Sequence, residues 1–304
     1  MFEARHIKNK TSNYVEVKNP DKQAYAKIDL DLGGSLQELI LDGQTIISSR
    51  ETLPYEESYA SAILFPFANR MENGKYDYEG KTYQLQINKP EENNAIHGLV
   101  YDKPFEVVHI SCNKNESAIH VRYVENGEPL GFPFKYMLTA SYTLSKNSIE
   151  LMVEVKNMDE FSFPFTIGWH PYFASSNLSE CILNIECSKK ILVNAQRIPT
   201  HETPVEFPKN LPIGNKELDD CFILNTKELC FKTAEYKLKF SFSPNENYLQ
   251  LYIPPNRRTI AIEPQSGAAN NFNDHRGLKI LHPHELFETR WKIEVNATKL
   301  NTVQ

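Results

Sequence analysis

Apolar residues recur at every second position in one run after another, and that period restricts the chain to strands. Ala26, Ile28, Leu30 and Leu32 alternate with polar neighbours until Gly33-Gly34 turns the chain. Leu36 to Leu41 follows, and Asp42-Gly43 turns it again. Phe134, Tyr136, Leu138, Ala140, Tyr142 and Leu144 keep the same period, as do Ile149, Leu151, Val153 and Val155 beyond Lys146-Asn147-Ser148. Tyr236, Leu238, Phe240 and Phe242 repeat it once more. A period of two places each set on one face of a strand, and tight turns between such runs join strands as antiparallel neighbours. Helical periodicity is scarce; only Glu56 to Ile63 reads as a short helix. The expected fold is all-β, a large antiparallel β-sandwich, with a barrel or two smaller sandwiches as the alternatives. No linker, low-complexity tract or fixed repeat interrupts the sequence, so residues 1–304 read as one domain.

Composition narrows the class. Hydrophobic residues make up 40% and charged residues 24%, which suits a water-soluble protein with a substantial core. The net charge of -6 argues against nucleic acid, which favours a basic footprint. No apolar run approaches the roughly 18 residues that span a bilayer, and MFEARHIKNK lacks the apolar segment of a secretory signal. The five cysteines, Cys112, Cys181, Cys187, Cys221 and Cys230, are odd in number and form no CxxC pair. Free thiols and a cytoplasmic location are therefore expected.

Several clusters carry residue types suited to chemistry. Asn69 and Arg70 follow the apolar stretch Phe65-Pro66-Phe67-Ala68, and present amide and guanidinium donors or else a salt bridge at a strand exit. His97 precedes Gly98, which permits a tight turn; the imidazole either meets a ligand or satisfies a loop carbonyl. His170 lies in Gly168-Trp169-His170-Pro171-Tyr172, where Pro171 biases its backbone towards the extended region. Its aromatic neighbours either shield a functional imidazole or simply pack a core-edge histidine. Asp219 and Asp220 precede an apolar strand, as ligand acceptors or turn caps. Glu263 follows Ile260-Ala261-Ile262, where partial desolvation makes a carboxylate a better base, unless it is a surface charge. His282-Pro283-His284-Glu285 is dense in metal-ligating types, but the proline breaks regular spacing and HExxH is absent. No metal site is expected. Glycine-rich nucleotide loops and the GxSxG of serine hydrolases are also absent.

Taken in order, Phe67-Ala68-Asn69-Arg70, Ala95-Ile96-His97-Gly98, Trp169-His170-Pro171-Tyr172-Phe173, Leu218-Asp219-Asp220-Cys221-Phe222 and Ala261-Ile262-Glu263-Pro264 resemble the aldose 1-epimerase (galactose mutarotase) family. The Gly33-Gly34 turn and the segment from Leu281 to Phe287 look similar too. The resemblance implies a single antiparallel β-sandwich of the galactose mutarotase type with an open sugar groove, no cofactor and no metal. It also implies interconversion of the α and β anomers of a free aldose. It assigns Glu263 as general base and His170 as general acid, with Asn69, Arg70, His97 and Asp219 contacting the sugar. Asp219 is preferred to Asp220 by its three-residue step to Phe222. Two other outcomes are a hexose-phosphate 1-epimerase, with Arg257, Arg258 and Lys279 as candidate phosphate contacts, and a non-catalytic carbohydrate-binding protein. The expected partner is a small-molecule aldose rather than nucleic acid or membrane, and the chain is expected to be a monomer or homodimer.

Overall fold

In a computed structural model, which describes residues 1–243 and 247–297, nearly all regular structure is antiparallel strand. A nine-stranded sheet and an eight-stranded sheet dominate, and a five-stranded sheet of residues 3–48 packs onto the same core. This is the expected antiparallel sandwich. The alternating runs form the predicted strands: Lys135–Ser145 and Ser148–Asn157 pair along their length, and Tyr236–Phe242 pairs with Leu286–Ala297. In each, the apolar set turns inward; Tyr136, Leu138, Ala140, Tyr142 and Leu144 are all buried. Asp42 and Gly43 both have positive φ, +48° and +76°, the backbone that a two-residue hairpin turn needs between Ser35–Leu41 and Gln44–Ser48.

The helix expected over Glu56 to Ile63 is corrected by the structure. Only Tyr55–Ser58 is helical. Tyr59 and Ser61 then take left-handed φ of +50° and +59°, which ends the turn, and Ile63–Leu64 joins the eight-stranded sheet. One turn is all that this segment retains.

The sandwich core is aromatic. The Trp169 ring lies 6.0 Å from Trp291 and 5.8 Å from Phe240, so a residue of the eight-stranded sheet meets two of the nine-stranded sheet. Phe173 meets Phe231 and Phe240 in the same layer. One face of the eight-stranded sheet is thus consumed by the core: Leu249, Leu251, Ile260 and Ile262 all face it. The alternate residues of the same strands face the other way, and they form the floor of a cleft.

A second wall of the cleft comes from the segment around His97. His97 and Gly98 both take left-handed φ, +65° and +79°. The His97 amide donates to the Asn69 carbonyl at 2.9 Å, and the Leu99 amide to the Phe65 carbonyl at 2.7 Å. Gly98 lies so close to this neighbour that a Cβ would stand 2.2 Å from the Phe65 oxygen. Gly98→Ala should therefore push the two segments apart and cost about 1–3 kcal/mol, seen as a lower midpoint in urea unfolding. His97 should move with the backbone in the same variant.

Candidate active site

Strand register sets the site. Glu263 pairs with Gln250, and Gln250 with Cys221, so these three form a row across neighbouring strands. Asp219, Tyr252, Ala261 and Tyr172 form the next row on the same face. Side chains two apart share a face, so both rows look into the cleft while Ile262, Leu251 and Phe222 look into the core. Asp220 alternates away from Asp219 and pairs instead with Lys190 at 2.6 Å.

His170 is delivered by the same alternation. Trp169 turns into the core, and its Nε1 donates to the Ser61 carbonyl at 3.1 Å. The next residue, His170, faces the cleft, held by backbone bonds from its N–H to Ala62 and to its carbonyl from Ser61. Tyr172 stacks on the imidazole at 5.1 Å with only 17° between the rings. His97 meets the same imidazole edge-on at 4.9 Å, and Tyr59 packs against His97. The run of aromatics around His170 therefore divides its work: Trp169 anchors the backbone, and Tyr172 fixes the ring plane.

The six residues singled out from the sequence, Asn69, Arg70, His97, His170, Asp219 and Glu263, line one cavity of about 270 Å³. His170 Nε2 lies 3.4 Å from Glu263 Oε1. Both groups are almost fully buried, with 4% and 1% of their surface exposed. The other Glu263 oxygen accepts from Gln265 Nε2 at 3.1 Å. Beside this pair runs a continuous polar belt. Glu92 clamps Arg70 in a two-point ion pair, at 2.5 Å to Nε and 2.9 Å to Nη2. Arg70 Nη1 donates to Asn69 Oδ1, Asn69 Nδ2 to Gln250 Oε1, and Gln250 Nε2 to Asp219 Oδ1. Arg197 closes the belt, with Nη1 3.1 Å from Asp219 Oδ2.

Glu92, Gln250, Gln265 and Arg197 were not singled out from the sequence. Gln250 sits in Tyr-Leu-Gln-Leu-Tyr, where a polar residue alternating with leucines looks like any solvent-facing strand position. Glu92 and Arg197 come from loops, and only the fold brings them to the cleft. The metal-ligating types of residues 282–285 lie elsewhere. His282 Nδ1 meets the Ser162 hydroxyl, Glu285 accepts from the His282 amide, and His284 stands 4.0 Å from Glu160. Among the described residues no group of three or more His, Cys, Asp or Glu side chains is gathered for a metal ion.

Burial governs the electrostatics of the pair. It pushes the His170 imidazole down to about 3, with the Arg70 charge acting in the same direction. It pushes the Glu263 carboxyl well above its ordinary value, aided by the Asp219 charge and opposed by the Gln265 bond and Arg70. His97 is likewise held well below the ordinary imidazole range by burial, His170 and Arg70. The resting site thus favours a proton on Glu263 and neutral imidazoles.

A buried carboxyl with a raised pKa binds its proton more tightly folded than unfolded. Folding stability then falls as pH rises from the ordinary carboxyl range through the raised value. His170 acts oppositely, costing stability as pH falls from the ordinary imidazole range towards about 3. Glu263→Gln should therefore raise the melting temperature at pH 7 to 8, with the gain shrinking towards pH 4. Thermal unfolding across that range measures this; a variant less stable at neutral pH would mean that the resting pair is ionised.

Comparison with known proteins identifies the family. Residues 15–294 match the family model described as aldose 1-epimerase. The Escherichia coli K12 protein YihR is 24% identical over 273 residues, covering 84% of this chain and 86% of that protein. Human galactose mutarotase is 29% identical over 197 residues, covering 60% of this chain and 55% of that enzyme. Among solved structures, a galactose mutarotase-like protein from Clostridium acetobutylicum superposes with a TM-score of 0.86 at 20% identity, covering 98% of this chain and 99% of that one. A galactose 1-epimerase from Lactobacillus acidophilus gives 0.80 at 19% identity, with 98% and 99% covered. The last two share the fold, and the match to the family model extends over most of the sequence: the chain belongs to the aldose 1-epimerase family.

Proposed function

We propose that the protein is an aldose 1-epimerase that interconverts the α and β anomers of a free aldohexose. The observation that carries this reading is the buried contact of 3.4 Å between His170 and Glu263 on the floor of a polar cleft.

Glu263, as carboxylate, accepts the proton of the anomeric hydroxyl. His170, as imidazolium, gives a proton to the ring oxygen. The bond between the anomeric carbon and the ring oxygen breaks as the carbonyl forms. Rotation about the bond between the first two carbons exposes the other face, and reclosure reverses both transfers. Opening leaves Glu263 protonated and His170 neutral. That is the distribution burial favours, so ionising the pair belongs to the cost of the step and opening returns it to rest. Asn69, Arg70, His97 and Asp219 hold the sugar so that both transfers are in reach.

The charges of the cleft support a neutral rather than a phosphorylated sugar. Its cations Arg70, Lys89 and Arg197 are each paired, with Glu92, Glu91 and Asp219. The candidate phosphate contacts are used elsewhere. Arg257 donates to the carbonyls of Gly214 and Lys216, Arg258 meets Glu51, and Lys279 lies over the Phe287 ring.

Polarimetry on freshly dissolved α-glucose and α-galactose at low buffer concentration tests the reading. The protein should speed the approach to the equilibrium rotation. Glu263→Gln and His170→Asn should each lower the enzymatic rate by about 10²–10⁴-fold while the variants still bind sugar. Acceleration of glucose 6-phosphate alone would replace the free aldose with a phosphorylated one. Binding without acceleration of any sugar would make the protein a carbohydrate-binding member of the family.

A further inference from the structure

Arg197 takes no part in the acid–base step, yet it stands at the mouth of the cleft with its charge on Asp219. It lies at the tip of the hairpin that joins Cys187–Val193 to Pro199–Pro204. The tip is fixed rather than loose. Asn194 Oδ1 accepts from the amides of Gln196 and Ile198, both at 3.0 Å. The Arg197 amide returns to the Asn194 carbonyl, and the Gln196 carbonyl accepts from the buried Asn94 side chain at 2.8 Å. Asn94 belongs to the segment that carries His97, so the hairpin is tied to the opposite wall. Arg197 itself takes a left-handed φ of +61°, uncommon for a residue with a side chain.

Asp219 already accepts one bond on each oxygen, from Gln250 and from Arg197. A carboxylate oxygen offers two lone-pair positions, so each oxygen keeps one for a ligand. The guanidinium carries five N–H donors, its side chain is 44% exposed, and it lines the same cavity as Asp219. An acceptor and a charged donor therefore stand side by side, about 3.1 Å apart. A sugar hydroxyl matches both at once, because it can donate to the carboxylate while accepting from the guanidinium. A ring carbon with that hydroxyl inverted or missing satisfies neither.

We propose that Arg197 is a specificity-determining residue that, with Asp219, reads one ring hydroxyl of the aldose. This rests on the epimerase reading of the cleft. Binding and turnover are measured for the wild type, Arg197→Ala and Arg197→Met on glucose and on its 2-, 3- and 4-deoxy analogues, by calorimetry and polarimetry. Loss of the contact should raise KM and Kd for glucose roughly tenfold, the worth of one charge-assisted hydrogen bond, with kcat nearly unchanged. On one deoxy sugar, the wild type and both variants should bind equally, because the hydroxyl they differ over is gone. An equal penalty on every analogue would make Arg197 merely a support for Asp219, and no penalty on glucose would leave it no role; either result overturns the inference. Binding without anomer exchange in the wild type would sink the epimerase reading, while the same comparison of Kd values would still decide the role of Arg197.

Discussion

The contact of Trp169 with Trp291 and Phe240 decides which face of the eight-stranded sheet belongs to the core. Once that face is spent on aromatic packing, the alternate side chains have only the cleft to enter. His170 follows Trp169 directly, and Glu263 follows the core residue Ile262, so both reach the cleft by a single step along the chain. The site is in this sense the reverse side of the core. A one-residue slip of either strand would exchange the buried apolar set for the polar one and lose both together.

Two kinds of polar group coexist on that reverse side. The belt from Glu92 through Arg70, Asn69, Gln250 and Asp219 to Arg197 is satisfied from end to end, and an ion pair terminates it on each side. Such a network holds its members in one arrangement before a ligand arrives, so little ordering is left for binding to accomplish. The pair on the floor is different. Nδ1 of His170 and of His97 have no hydrogen-bond partner among the described residues, and burial works against charge on Glu263 and on both imidazoles. Proton affinities shifted this way by burial, on two groups in contact within a cleft, are characteristic of sites that move protons. A rigid belt and a pair with shifted proton affinities thus share one cleft.

Much of the fold was legible because the period of two is a local property. Tyr136 to Leu144 and Ile149 to Val155 announce their strands without help from distant residues. The segment from Glu56 to Ile63 misled because its sequence gives no sign of the left-handed turns at Tyr59 and Ser61, which confine the helix to Tyr55–Ser58. The six residues singled out as a site came from an ordered resemblance, since His170 or Glu263 alone reads equally well as packing or surface charge. The structure brings those six to one cavity. Glu92, Gln250 and Arg197 stayed hidden for a physical reason. A glutamate in a polar loop, a glutamine between leucines and an arginine in a turn carry no periodic signal. Their meaning comes from partners 22, 181 and 22 positions away.

The strand Pro199–Pro204 is the edge of the eight-stranded sheet, bounded by prolines that cannot donate to a further strand. The hairpin bearing Arg197 therefore hangs from the rim, whereas Glu263 and Gln250 sit on interior strands paired on both sides. A rim hairpin can gain, lose or exchange residues without altering the registration of the strands inside it. In this architecture the buried pair on the floor and the arginine at the rim sit on separately replaceable parts, so the rim can change while the floor keeps its register.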